Sequence, residues 1–119
     1  AIAAGYNHSL FLDEEGNVWA SGKNDFGQLG VGDEINRGIP TKINNLPPIK
    51  TVAAEVGHSL FLDTEGYVWA AGQNNFSQLG LGDNEDRNIP TKIEGMPTIQ
   101  LPALERGKIP TKSARKIVE

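Results

Sequence analysis

Short apolar segments separated by turns are the pattern that hydrophobic and polar residues form along this chain. No segment shows the 3.6-residue period of an amphipathic helix. In the second half, four strands are predicted at residues 49–54, 58–62, 67–71 and around 90–93. The link Asp63-Thr64-Glu65-Gly66 has the length and the glycine of a tight hairpin turn. The pattern therefore predicts an all-β protein.

Both faces of the predicted strands are largely apolar. In the second strand Leu60 and Leu62 lie on one face and Phe61 on the other, and in the third strand Val68 and Trp69 lie on opposite faces. A sheet with one face in water shows a clearer alternation of apolar and polar residues. The pattern therefore favours a sheet that is covered on both faces, as a blade is between its neighbours in a β-propeller.

The sequence repeats with a period of 50 residues. Residues 1–50 and 51–100 align without a gap and are identical at 29 of the 50 positions. The segment that begins at His8 returns at His58, and the triplet that begins at Gln28 returns at Gln78. A period of this size indicates stacked or radially arranged units. We predict one repeat in residues 1–50, a second in 51–100, and the degenerate start of a third, with a basic tail, in 101–119.

The duplication argues against an enzyme. A catalytic site needs a unique set of residues, whereas nearly every distinctive residue of this chain occurs twice. His8 and His58 share one repeat position, which favours a structural hydrogen bond over the alternative roles of base or metal ligand. The glycine-rich segment 24–33 lacks the Lys-Ser/Thr of a phosphate-binding loop. We therefore expect no catalytic residues, no cofactor and no bound metal.

Charge is divided unevenly along the 119 residues, whose formal net charge is −4. Residues 1–100 carry 6 basic and 13 acidic side chains, a net charge of −7, whereas residues 101–119 carry 5 basic and 2 acidic ones, a net charge of +3. An acidic body argues against nucleic-acid binding. The basic tail keeps association with chromatin or nucleic acid open as an alternative.

The absence of cysteine from the sequence excludes disulfides and thiolate metal sites. The sequence shows neither an apolar segment of membrane-spanning length nor the basic and then apolar start of a signal peptide. We therefore expect no membrane contact and an intracellular location, cytoplasmic or nuclear.

Each repeat carries a long motif. In the first repeat it is Ile2-Ala3-Ala4-Gly5-Tyr6-Asn7-His8-Ser9-Leu10-Phe11-Leu12, then Asp13-x-x-Gly16-x-Val18-Trp19, then Gly22-x-Asn24-x-x-Gly27-Gln28-Leu29-Gly30-x-Gly32-Asp33. This motif resembles the RCC1 (regulator of chromosome condensation) repeat, and the resemblance runs through both repeats. WD40 repeats are disfavoured because alanine follows Trp19 and Trp69, and kelch repeats because the Gly-Gly doublet is absent.

The resemblance implies a β-propeller with four-stranded blades, seven in the best-known family members. Members of the family serve as guanine-nucleotide exchange factors for the small GTPase Ran, as chromatin binders, and as modules in kinases and ubiquitin ligases. The expected function is a protein–protein interaction scaffold, with nucleotide exchange on a Ran-type GTPase as the alternative. Two repeats cannot close a ring. We therefore expect part of a larger propeller, or self-association through open blade faces.

Three departures separate the second repeat from the first. Glu55 stands at the position of Gly5, Gly57 at that of Asn7, and Ser77 at that of Gly27. We expect these changes to bend loops but to leave the strands intact.

Two groups of residues are predicted to have a role, one in the structure of the repeats and one in contact with a partner. The residues assigned to the structural motif are Gly5, His8, Gly16, Trp19, Gly22, Gln28, Gly30, His58, Gly66, Trp69, Gly72, Gln78 and Gly80. The two tryptophans are expected to pack between blades. The residues predicted to contact a partner are Asp25, Phe26, Arg37, Asn75, Phe76 and Arg87, although both arginines are also expected to pair locally with Asp33 and Asp83.

Overall fold

The computed structural model describes residues 1–100, which form eight strands and no helix. The prediction for residues 101–119 lies outside the described residues. The strands are β1 Ile2–Ala4, β2 His8–Leu12, β3 Val18–Gly22, β4 Arg37–Lys42, β5 Ile49–Ala54, β6 His58–Asp63, β7 Val68–Gly72 and β8 Arg87–Lys92.

The strands form two antiparallel sheets with the same topology. The first sheet has the order β1-β2-β3-β4 and the second the order β5-β6-β7-β8. Their registers repeat, because Phe11 lies opposite Trp19 in the first sheet and Phe61 opposite Trp69 in the second. The all-β prediction is therefore confirmed.

The fourth strand of each sheet differs from the prediction. β8 begins at Arg87 and ends at Lys92, so Pro90 lies inside the strand and not at its start; Pro40 is placed likewise in β4. Both strands form the edge of their sheet, where a missing N–H costs no ladder hydrogen bond. A shift of register between Ala70 and Gly72 marks this pairing as irregular. The proline and the irregular pairing explain why the sequence pattern did not locate the start of this strand.

The core lies between the two sheets. Leu10 and Val18 on one face of the first sheet pack in a single cluster with Phe61 and Ala71, which face them from the second sheet. Leu29, from the loop between β3 and β4, is buried in the same cluster. Burial of these apolar side chains is the main force that joins the sheets.

Each sheet has a second face that no other sheet covers in residues 1–100. The open face of the first sheet carries Ile2 and Phe11. The outer face of the second sheet carries Leu60 and Val68 and borders an apolar groove of about 210 Å³ that Ile99 also lines. An apolar face of this kind is covered in the blades of a propeller.

After each sheet, the chain makes an equivalent backbone hydrogen bond to the glycine of that sheet's hairpin turn. The amide of Ile49 donates to the carbonyl oxygen of Gly16 at 3.0 Å, and the amide of Ile99 donates to that of Gly66 at 2.7 Å. Ile49, the first residue of β5, is 2% exposed because it packs in the core between the sheets, whereas Ile99 is 40% exposed. Equivalent residues therefore differ in burial according to their neighbours.

Candidate protein-binding loops

A buried asparagine organises the loop between β3 and β4. The amide nitrogen of Asn24 donates to the carbonyl oxygens of Asp33 and Ile35 at 2.8 and 3.1 Å, and its side-chain oxygen accepts from the amide of Leu29 at 2.9 Å. Asn74 makes the same set of bonds in the second repeat. Each loop is therefore fixed around a fully buried polar side chain.

Bidentate ion pairs close the same loops. Arg37 donates to both carboxylate oxygens of Asp33 at 2.8 and 3.2 Å, and Arg87 does the same with Asp83. The hydrogen bonds from the arginines lower the pKa of both aspartates. The expected local pairing is thus present, and it leaves these guanidinium groups engaged within their own loops.

Glutamines shape the tips of the loops. The side-chain oxygen of Gln28 accepts from the amide of Phe26 at 2.9 Å, and that of Gln78 accepts from the amide of Phe76 at 2.8 Å. Gly30 adopts a φ of 71°, in the left-handed region that glycine tolerates best. These contacts give the Gln-Leu-Gly motif a structural role in holding the loop.

A histidine joins the two sheets. His8 Nε2 lies 2.8 Å from the Ser59 hydroxyl, which donates to the carbonyl oxygen of Gln28 at 2.6 Å. Because this hydroxyl donates its proton to Gln28, it accepts from Nε2–H and leaves Nδ1 unprotonated. Burial and, second, the charge of His58 lower the pKa of His8. The hydrogen bond runs between sheets and not within one.

The two tryptophans share one hydrogen bond but not one environment. Trp19 and Trp69 donate from the indole nitrogen to Asp13 and Asp63, at 3.2 and 3.1 Å. Trp69 also packs against the core between the sheets. Trp19 shares the open face of the first sheet with Phe11 and meets no second sheet within residues 1–100, so its packing between blades stays a prediction.

A cleft of about 640 Å³ lies between the loops of the two repeats. It gathers three of the residues predicted to contact a partner, Asp25, Phe26 and Arg87. The other residues that line it are Glu34, Asp86, Asn88, Ile89 and Thr91. Three carboxylates beside apolar side chains make this surface suitable for a basic and partly apolar ligand.

The remaining predicted contact residues, Arg37, Asn75 and Phe76, do not line the cleft. Phe76 is 83% exposed, whereas Phe26 is half-buried, because the first loop lies against the second sheet. A Cβ added at Gly57 would lie 3.2 Å from the Phe26 ring, which shows how closely this ring approaches. The structure therefore brings three of the six residues together in the cleft and leaves the other three outside it.

Several important residues were missed by sequence reasoning. Asn24 and Asn74 recur at one repeat position, which was the available signal for their role inside the loops. Ser59 recurs too, but its equivalent Ser9 lies on the open face and bonds no histidine among residues 1–100. Glu34 and Asp86 enter the cleft only because two different loops meet there, which no linear pattern reveals.

The described residues contain no group of histidine, cysteine or acidic side chains able to hold a metal ion. Among residues 1–100, no helix has the length and apolarity needed to cross a membrane.

Comparison with known sequences places the chain in a family. A sequence model of the regulator of chromosome condensation (RCC1) repeat matches residues 15–62 and 65–102, and a second model of the same repeat matches residues 1–28 and 49–78. The chain belongs to the RCC1 repeat family. Its two four-stranded sheets are RCC1-type propeller blades.

The relatives are much longer than this chain. Mouse F-box only protein 24 is 48% identical over 44 residues, which are 37% of this chain and 8% of that protein. The human regulator of chromosome condensation is 34% identical over 53 residues, 44% of this chain and 13% of that protein. Yeast RCC1 (Prp20), solved bound to Kap60, superposes with a TM-score of 0.74 at 32% identity, over 81% of this chain and 24% of that chain.

Proposed function

We propose that the chain contributes two blades to an RCC1-type propeller that serves as a scaffold for binding another protein. The observation that carries this proposal is the cleft between the two loops, where Asp25 and Phe26 from one repeat face Asp86 from the next. Both loops are held by buried asparagines and by bidentate ion pairs. Rigid loops on a sheet scaffold lose little conformational freedom on binding, which favours recognition over bond chemistry.

The charge of the cleft suggests its ligand. Its three carboxylates, on Asp25, Glu34 and Asp86, outnumber the single guanidinium of Arg87, which is already paired with Asp83. Asp25 in turn lies 3.7 Å from the ammonium of Lys23, a half-exposed pair that leaves the cleft acidic. A partner segment with lysine or arginine beside an aliphatic side chain would match this surface. Arg37, Asn75 and Phe76 would extend the contact beyond the cleft. That partner and the intracellular location remain predictions.

A neutralised cleft tests the proposal. The repeat itself supplies mild substitutions, because asparagine stands at positions 36, 75 and 84, which are equivalent to Asp86, Asp25 and Glu34. We expect D25N/E34N/D86N to weaken binding of a labelled peptide of alternating lysine and leucine at least tenfold, measured by fluorescence polarisation at fixed salt. The corresponding glutamate–leucine peptide should not bind either protein.

The control variant removes the same charge elsewhere. Glu14, Glu15 and Glu65 lie in the hairpin turns at the other end of the strands. E14Q/E15Q/E65Q should bind the lysine–leucine peptide as the unsubstituted chain does. Equal loss in both variants would show that net charge alone attracts the peptide, and the cleft would then be dismissed as a binding site.

Nucleotide exchange on a Ran-type GTPase is a second candidate, and membership in the RCC1 repeat family favours it. Exchange requires the partner's phosphate-binding loop to be remodelled, and two blades offer few loops for that task. We would measure release of a fluorescent GDP analogue from a Ran-type GTPase at micromolar chain. Acceleration that D25N/E34N/D86N abolishes would support exchange through the cleft, whereas an unchanged release rate would remove this candidate for the chain.

A further inference from the structure

Two glycines of the first repeat allow the second sheet to approach closely. A Cβ at Gly5 would overlap the carbonyl oxygen of Glu55, and a Cβ at Gly27 would lie 2.6 Å from the Cα atom of Asn88. Real side chains do not tolerate such distances, so the interface between the sheets requires hydrogen at both positions. On the opposite side of the interface, Gly57 gives room to the Phe26 ring.

All three of these positions change where the interface would have to be repeated. The outer face of the second sheet has Glu55 in place of Gly5 and Ser77 in place of Gly27. The open face of the first sheet has Asn7 in place of Gly57. A second copy that docked its first sheet onto this outer face would therefore meet the Cβ atoms of Glu55 and Ser77, for which the existing interface leaves no space. Its own Asn7 would place a Cβ against a phenylalanine ring, at a position where that contact is 3.2 Å in the existing interface.

We propose that Asn7, Glu55 and Ser77 are specificity-determining residues that prevent copies of this chain from joining head to tail through their open faces. One form of the expected self-association is thereby excluded. The second sheet of one copy cannot dock onto the first sheet of another in the geometry of the existing interface, because Cβ atoms would overlap neighbouring atoms. The inference is independent of the protein partner proposed above, since Asn7, Glu55 and Ser77 do not line the cleft.

Glu55 acts in a second way, through His58. A Cβ at Gly5 would lie 2.6 Å from Cε1 and 2.8 Å from Nδ1 of the His8 ring, so that ring position requires glycine. Because Glu55 carries a Cβ, a His58 ring in the same position would collide with it. His58 is thus kept from reaching across to a serine of a second copy as His8 reaches Ser59.

Several other residues of the two faces match the existing interface, whereas Ser21 and Gly38 stand at the positions of Ala71 and Asn88. The first sheet keeps Ser9, Phe11 and Pro40 at the positions of Ser59, Phe61 and Pro90. The second repeat keeps Gln78 and Gly80 at the positions of Gln28 and Gly30. The Cβ atoms of the three substituted residues therefore obstruct the fit, and the matching contacts remain available when that obstruction is removed.

Sedimentation of glycine variants tests this inference. We expect N7G/E55G/S77G to assemble into species of discrete multiples of the chain mass, with a weight-average mass that rises at least twofold at micromolar concentration. The unsubstituted chain should form no such species. Adding His58→Ala to the glycine variant should lower the mass again, because head-to-tail assembly restores the histidine–serine bond between copies.

The matched control is N7A/E55A/S77A, which removes the same polar groups and the same charge but keeps the Cβ atoms. It should sediment as the unsubstituted chain does. Circular dichroism verifies that every variant is folded, and a glycine variant that fails to fold is replaced by E55G/S77G, which alters only the second repeat. The inference is overturned if a folded glycine variant assembles no more than its alanine control. It is equally overturned if the unsubstituted chain already forms multimers that His58→Ala dissociates.

Discussion

The two repeats share most of their sequence but not their surroundings. Phe61 is fully buried between the sheets, whereas Phe11, at the same repeat position, lies on an open face and is only half-buried. His8 bonds Ser59 across the interface, whereas His58 makes no such bond within residues 1–100. Identical residues therefore contribute differently, and the presence of a neighbouring sheet decides how much each one stabilises the fold.

A phenylalanine pair gives the largest expected difference between the repeats. Phe61→Ala removes a fully buried ring and leaves a cavity between the sheets, which we expect to lower the free energy of unfolding by about 3–5 kcal/mol. Phe11→Ala, on the open face, should cost less than half as much. Urea unfolding followed by tryptophan fluorescence measures both. Equal losses would show that the first sheet is also covered, by a neighbour outside residues 1–100.

The buried asparagines give the next largest effect. Asn24→Ala leaves the amide of Leu29 and the carbonyl oxygens of Asp33 and Ile35 without their partner. We expect a loss of about 2–3 kcal/mol, because buried backbone groups without a hydrogen bond are costly. Asn74→Ala should cost nearly as much, since the bonds of each loop are internal to it.

The control for the asparagines is Asn75→Ala, one residue further along and exposed, which should change stability by less than about 0.5 kcal/mol. If Asn24→Ala and Asn75→Ala had the same effect in urea unfolding, the loops would not depend on the buried amide.

Acid should weaken the interface through its histidine. The pKa of His8 in the folded protein is lowered from its ordinary value of 6.5, which applies in the unfolded chain. Between the folded and the unfolded pKa, the unfolded chain therefore binds more protons than the folded protein. Stability is therefore full above pH 6.5 and falls as the pH drops below it, by at most about 1.4 kcal/mol per pH unit for this group. The pKa of His58 is lowered too, by burial, against the opposing charge of Glu55.

Urea unfolding at pH 7.5 and 5.0, at constant ionic strength, measures this dependence. His8→Gln should reduce the loss of unfolding free energy between pH 7.5 and pH 5.0. His58→Gln should reduce that loss less, because the His58 ring is more exposed. An unchanged loss in His8→Gln would assign the acid sensitivity to other groups. The aspartates Asp13, Asp33 and Asp83 act only nearer pH 3.8, since their pKa values are lowered from there.

Much of the fold was predictable because it depends on short-range order. Short apolar segments between turns indicated the central strands. Asp63 and Gly66 marked a hairpin turn that is present, with the Gly66 amide donating to the Asp63 carbonyl oxygen at 3.1 Å. The 50-residue period indicated two equivalent units. The edge strand that contains Pro90 was placed several residues late, because proline and a shift of register obscured its periodicity.

The candidate site was less predictable because it forms between repeats. Phe26 was selected as an aromatic residue in a loop, but the sequence does not show that Glu34 and Asp86 meet beside it. Nor does it show that Phe76 is exposed while Phe26 packs against the second sheet. Those facts depend on which faces of the two sheets meet, and the pattern of apolar residues, which both repeats share, does not distinguish those faces.

Substitution of Ser77 has the smallest expected effect on the free energy of unfolding. It is the only non-glycine residue with positive φ, 59°, among the described residues, and it occupies the position of Gly27. Ser77→Gly relieves that backbone strain, but it adds freedom to the unfolded chain and removes the bond from the serine hydroxyl to the Asn84 side chain at 2.5 Å. We expect the relieved strain to be nearly offset by the added freedom and the lost hydrogen bond. The free energy of unfolding should therefore change by less than about 1 kcal/mol.

The reverse change, Gly27→Ser, sharpens the contrast between the repeats. Serine also tolerates the left-handed backbone poorly at position 27, where φ is 80°, but here its Cβ would in addition press on Asn88 of the neighbouring sheet. Thermal unfolding of both variants should therefore show a clear loss for Gly27→Ser and almost none for Ser77→Gly. If both variants behaved alike, backbone strain alone would account for the glycine, and close approach of the second sheet would not be what position 27 requires.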